Sequence, residues 1–142
     1  KLKKMNDIKY EKINVGDKLP NMSFPPITRH TLALYCGSSG DHNPIHVDID
    51  FAKDSGFDDV IAHGMLSAAY LSRMITNWVP QSAIRKWRNR FTAMTNIGDI
   101  VVCSGEIVEK YEKNGEKYVR VELQTKTQKE QTIVSEVLLV LE

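Results

Sequence analysis

Cysteine is scarce in this 142-residue chain: there are two, Cys36 and Cys103, far apart in sequence. That spacing excludes a disulfide framework and a thiolate metal site, and it fits reduced, buried thiols in a cytoplasmic protein. Excess charge is scarce too. Nineteen basic side chains against eighteen acidic ones leave +1, so no field is available to hold a nucleic acid. No apolar run approaches the roughly 18 residues of a membrane span. The opening Lys1-Leu2-Lys3-Lys4-Met5 is basic but lacks the apolar core of a signal peptide. Residues 1–12 are therefore expected to be a flexible lead. There is no internal repeat and no low-complexity linker, so residues 1–142 read as a single domain, long enough for a real core.

What is present divides into two textures. In the second half, Val119, Val121, Leu123 and Thr125 alternate with Arg120, Glu122, Gln124 and Lys126. Such alternation marks a half-buried antiparallel strand. Asn114-Gly115, between Tyr111 and Tyr118, is a hairpin turn signal. Three strands are expected, at 99–111, 117–128 and 132–141, as a meander, with a shorter one around Trp87–Met94 before them. The basic run Arg85-Lys86-Trp87-Arg88-Asn89-Arg90 reads as a solvated strand entrance, with an anion contact as the functional alternative.

The first half reads as helices and loops. Thr28 is placed to cap a helix whose apolar side is Leu32, Leu34, Tyr35 and Cys36, with Gly37 and Gly40 ending it. A short helix around Asp50–Ser55 closes at Gly56. Residues 64–79 then form a helix that is apolar on most sides, stopped by Pro80, and so expected to be buried. A buried helix against an antiparallel sheet is an α+β arrangement.

The chain has four histidines, and two of them fall within Asp41-His42-Asn43-Pro44-Ile45-His46. Gly40 and Pro44 exclude regular structure there, which puts Asp41 and His46 on a shaped loop. A histidine beside a carboxylate is the standard pair for moving protons near neutral pH. The structural alternatives are a turn-capping Asp41 and a hydrogen-bonded loop histidine. A metal is the third: His42, His46, Asp48 and Asp50 are ligand types, and 46, 48 and 50 share a side if the stretch is a strand. Only His63 is available to extend that set, so no metal is expected.

Ala62-His63-Gly64-Met65 opens the long helix. A glycine there leaves its N–H free and lets another group approach, and the helix start favours an oxygen gaining negative charge. Ser72 lies eight residues on. It either bonds down to the loop carboxylate or satisfies its own helix carbonyls.

Together, the run 35–46, then Phe51-Ala52, then Ile61-Ala62-His63-Gly64-Met65 resembles the motif of the MaoC-like, (R)-specific enoyl-thioester hydratases. Arg90-Phe91 and Gly98-Asp99 resemble that family's strand entrance and turn, and the likeness spans about residues 13–142. The resemblance implies a hotdog fold, a curled antiparallel sheet around one long helix, in a homodimer or higher homo-oligomer with the site near the interface. It implies Asp41 and His46 as catalytic residues, with Gly64 N–H holding the thioester carbonyl. Ser72 would support the aspartate, and Asn43 would hold the loop. It implies no cofactor beyond the coenzyme A or acyl carrier protein that bears the substrate. Met94 stands where the family often has proline, and His42 where it is commonly aromatic or aliphatic; both are expected to shape the acyl tunnel. A side chain at Gly64 is expected to obstruct the carbonyl while the fold tolerates it. The rival activities are a hotdog thioesterase and a non-catalytic acyl-thioester-binding subunit. The first usually works from a helix carboxylate, which residues 64–79 lack; the second has no need of the Asp41–His46 pair.

Overall fold

The computed structural model describes residues 8–142. Strand β1 (Met22–Ser23) is followed by helices α1 (Arg29–Ser39), α2 (Ile49–Asp54) and α3 (Gly64–Trp78). Four long strands follow: β2 (Ile84–Phe91), β3 (Val102–Lys113), β4 (Glu116–Lys126) and β5 (Gln131–Leu141). The strands form one sheet in the order β1-β3-β4-β5-β2, antiparallel at every pairing.

The sheet forms where alternation predicts it. Val119, Val121, Leu123 and Thr125 all point inward and are buried. Asn114 (φ 53°) and Gly115 (φ 79°) take the two left-handed positions of a tight hairpin between β3 and β4. The strand expected at 99–111, however, begins at Val102. Gly98 and Asp99 form a turn, because the Asp99 carboxylate accepts from Asn96 N–H at 2.8 Å and from Gln128 Nε2 at 3.1 Å. The strand expected at 87–94 runs instead over Ile84–Phe91.

Helix α1 is capped by Thr28, whose hydroxyl accepts from Thr31 N–H at 3.1 Å. It passes through Gly37 and stops at Gly40, whose φ of 74° ends helical pairing. Its apolar side is narrower than the sequence implies: Leu32 is fully buried, but Leu34 is exposed.

Helix α3 carries the core. Leu66, Ala68, Leu71, Met74 and Ile75 are buried against the sheet. The close approach depends on Gly105 of β3, where a Cβ would stand 2.6 Å from Leu123 Cδ2 and 3.5 Å from Met74 Cε. The expectation of a helix buried on most sides is corrected. Met65, Ala69, Ser72 and Arg73 are exposed, because an open sheet reaches only one face of the helix.

The expected lead at residues 1–12 falls partly outside the described residues. Within them, Tyr10–Lys12 is a fixed 3-10 turn and not a loose segment. Tyr10 N–H donates to Glu142 O at 3.1 Å. Lys110 Nζ donates to the carbonyls of Tyr10 and Ile13, and Glu11 pairs with Lys117. Cys103 is fully buried, which raises its thiol pKa to about 12 and makes it inert. Among the described residues no helix is long and apolar enough to cross a membrane.

Leu71 has no exposed surface. Leu71→Ala should cost about 2–5 kcal/mol from lost burial and the cavity left behind. The check is urea unfolding, with a lower midpoint at unchanged slope.

Candidate active site

The stretch between α1 and α2 is more regular than Gly40 and Pro44 suggest. After the left-handed Gly40, Pro44–His46 makes one 3-10 turn. Asn43 sets it: its side-chain oxygen accepts from Ile45 N–H at 3.1 Å, while its own N–H donates to Asp41 Oδ1 at 3.3 Å. Asn43 thus holds both ends of the Asp41–His46 segment. Asp48 caps α2, accepting from Asp50 N–H and Phe51 N–H. Positions 46, 48 and 50 are therefore not one side of a strand, and the set His42, His46, Asp48 and Asp50 does not assemble.

The turn buries the His46 ring and leaves Asp41 half exposed, with side-chain exposures of 11% and 50%. His46 Nδ1 lies 2.7 Å from the carbonyl oxygen of Ile61. A carbonyl only accepts, so Nδ1 carries the proton and neutral His46 keeps its lone pair on Nε2. That lone pair faces the site, 3.9 Å from Asp41 Oδ2.

His63, which precedes α3, completes the floor. It is 1% exposed. Its ring stacks on His46 with centroids 3.7 Å apart and planes at 25°, and Tyr35 meets it edge-on. Its Nε2 donates to the main-chain carbonyl of Asp41 at 3.2 Å. Gly64 follows at once. Its N–H, the first of the helix, meets no backbone or side-chain acceptor among the described residues. A donor left free at a helix start is the type of group that can receive an anion or an oxyanion. A side chain at Gly64 meets one neighbour. A Cβ there would stand 3.0 Å from two ring carbons of Phe91, so it fits only if that half-exposed ring gives by a few tenths of an ångström.

Ser72 does not join this group. It is exposed, and its hydroxyl donates to Ala68 O at 3.1 Å, the helix-internal alternative. His42 and Met94 are exposed as well. Asp41, His46 and His63 together could hold an ion, since one ligand-type atom from each lies within 4.8 Å of the others. In the sequence His63 reads as part of the helix opening and its motif, and as a possible metal ligand; its contacts with the pair are not legible there. Its adjacency to Gly64, in a chain of four histidines, is the signal that was available.

A family model for the MaoC-like domain matches residues 14–130, and the chain belongs to that family. The family comprises hydratases and dehydratases of fatty-acid metabolism. The chain is 38% identical over 80 residues to the (R)-specific enoyl-CoA hydratase of Rhodospirillum rubrum, covering 55% of this chain and 56% of that protein. It is 30% identical over 131 residues to the fatty acid synthase subunit beta of Saccharomyces cerevisiae, covering 84% of this chain but 6% of that protein. It therefore spans only part of these curated relatives. The R-hydratase PhaJ1 from Pseudomonas aeruginosa superposes with a TM-score of 0.82 at 31% identity, over 96% of this chain and 87% of that one. The sheet and its central helix are thus the hotdog fold.

Burial, the leading cause, pushes the His63 pKa below the ordinary imidazole value. A lowered folded pKa makes His63 stabilising above the unfolded value of about 6.5, and that contribution disappears as pH falls from there through the folded value. Urea midpoints should therefore drop below about pH 6.5, and drop less in His63→Gln. A wild-type-minus-variant difference that is flat with pH would contradict the assignment.

Proposed function

We propose that this chain catalyses (R)-specific hydration of 2-enoyl thioesters and, in reverse, dehydration of (3R)-hydroxyacyl thioesters. The observation that carries this is the 3.9 Å between Asp41 Oδ2 and His46 Nε2. With Nδ1 protonated, both facing atoms are acceptors, so neutral His46 and ionised Asp41 do not bond each other. A water between them would bond both: two hydrogen bonds of about 2.8 Å meeting at one oxygen at roughly 90° span about 4 Å. Such a water turns its protons toward the pair and its lone pair outward.

The chemistry follows from that pose. The water oxygen attacks C3 as His46 Nε2 takes one of its protons. The C2=C3 electrons move to the carbonyl oxygen, and the Gly64 N–H and helix start stabilise the enolate charge. The proton then returns across the Asp41–His46 pair to C2, so the elements of water are added and nothing else is consumed. No metal or redox group takes part in these steps. The thioester is carried by coenzyme A or acyl carrier protein.

The absence of any carboxylate along α3 weighs against the thioesterase alternative. The intact pair weighs against a non-catalytic binding subunit. The exposed outer face of α3, together with exposed Met65 and Phe91 beside Gly64, suits a second copy of the chain closing over the site.

Asp41→Asn and His46→Gln should each lower the hydration rate by at least about a hundredfold while the protein stays folded. Chelator added to the wild-type assay should change nothing. A folded variant at near-full rate would remove the assignment. One metal per chain, with activity lost on its removal, would give Asp41, His46 and His63 to an ion instead.

Gly64→Ala separates access from clash. It should lose turnover equivalent to about 2.7–4 kcal/mol, the usual worth of one oxyanion donor. The double variant Gly64→Ala with Phe91→Ala frees the Cβ. Turnover that stays low in the double variant supports loss of access to the N–H, which the Cβ itself then obstructs. Full recovery would mean that displaced Phe91 was the whole effect.

A further inference from the structure

His63 has a larger part in the site than opening a helix. Its contacts run to both members of the pair by different means. It bonds the backbone of Asp41 and covers the ring face of His46. It does so from the residue just before Gly64, so one side chain links the acid, the base and the oxyanion donor. The ring cannot turn freely. Asp41 O only accepts, which fixes the proton on Nε2. The opposite nitrogen, Nδ1, is buried without a partner. One turn along α3 the hydroxyl of Ser67 is also buried and unpartnered, and these are the two such side-chain atoms among the described residues. A buried polar atom left unpaired costs about 1–3 kcal/mol. A histidine that only filled space would carry that cost for no gain, since leucine or phenylalanine fills the same place without it.

We propose that His63 is a positioning residue for the Asp41–His46 pair. Its Nε2–H anchors the Asp41 main chain to the start of α3, and its ring backs the face of His46, so that the gap accepting water keeps its width. This rests on the hydratase assignment of the pair; His63 acts through its contacts with Asp41 and His46.

Three variants divide the two contacts. His63→Gln keeps an amide N–H able to reach Asp41 O but loses the stack. His63→Phe keeps the stack but loses the donor. His63→Ala loses both. Each is measured in the full chain for kcat and KM on crotonyl-CoA, and by nitrogen-15 NMR for the tautomer of the His46 ring. His63→Ala should lower kcat about 10- to 100-fold, the scale of a displacement near 1 Å, with KM little changed. The His46 ring should pass from a single Nδ1–H form to a tautomer mixture. His63→Gln should recover more kcat than His63→Phe. If His63→Ala does not fold, the Gln and Phe variants decide alone. Wild-type kcat with a single His46 tautomer would overturn the proposal. So would an equal loss in all variants that only follows the folded fraction. If the wild type fails to hydrate while the His46 tautomer still responds to His63, the hydratase assignment falls and the positioning role stands.

Discussion

The site depends on one hydrogen bond, from His46 Nδ1 to the carbonyl of Ile61 at 2.7 Å. It sets which nitrogen of His46 holds the proton, and so which one is a base. It also ties the loop after α1 to the segment before α3. Ile61 is itself held from two sides. Its N–H donates to Ile45 O, and it bridges Asn96 while Ala62 N–H donates to Thr95 O. The buried Asp99 carboxylate in turn fixes Asn96. The histidine, the helix start and the approach to β3 therefore move as a unit. Chemistry that needs a proton acceptor and an oxyanion donor at fixed separation requires such rigidity.

Helix α3 divides its duties by position. Its inner face supplies core contacts to the sheet. Its first N–H, with His63 before it, supplies the polar end. Core residues and candidate-site residues are thus separated along one element, and a Leu71 cavity and a blocked Gly64 are expected to act on different quantities. Gly64 is under two constraints at once. It leaves a donor unpaired, and it makes room for the Phe91 ring.

Much of this was legible in the residues. The alternation of β4, the Asn114-Gly115 turn and the cap at Thr28 are local rules, and local rules survive folding; the cap at Asp48 was not legible, because in the sequence that residue reads as a ligand type. The Asp41-to-His46 run was legible because Gly40 and Pro44 break any long helix or strand there, although Pro44–His46 still makes one 3-10 turn. What was not legible depends on contacts distant in sequence. Strand β1 is two residues long and exists only because β3 pairs with it. The exposed side of α3 follows from where the sheet ends. Ser72 faces away because its helix phase, about 80° from Gly64, turns it from the loop. The Phe91 ring over Gly64 and the stack of His63 on His46 join positions 27 and 17 residues apart. Neither has a periodic signature.

The central claim is that water held by Asp41 and His46 adds to the double bond of an enoyl thioester. It is tested most directly by giving the chain crotonyl and longer 2-enoyl thioesters, on coenzyme A and on acyl carrier protein. Enoyl absorbance, free thiol and the handedness of the product are followed together. The account predicts loss of enoyl absorbance without thiol release on at least one carrier, and a product of (3R) configuration. Thiol released in step with substrate loss, a (3S) product, or no reaction on either carrier would contradict it.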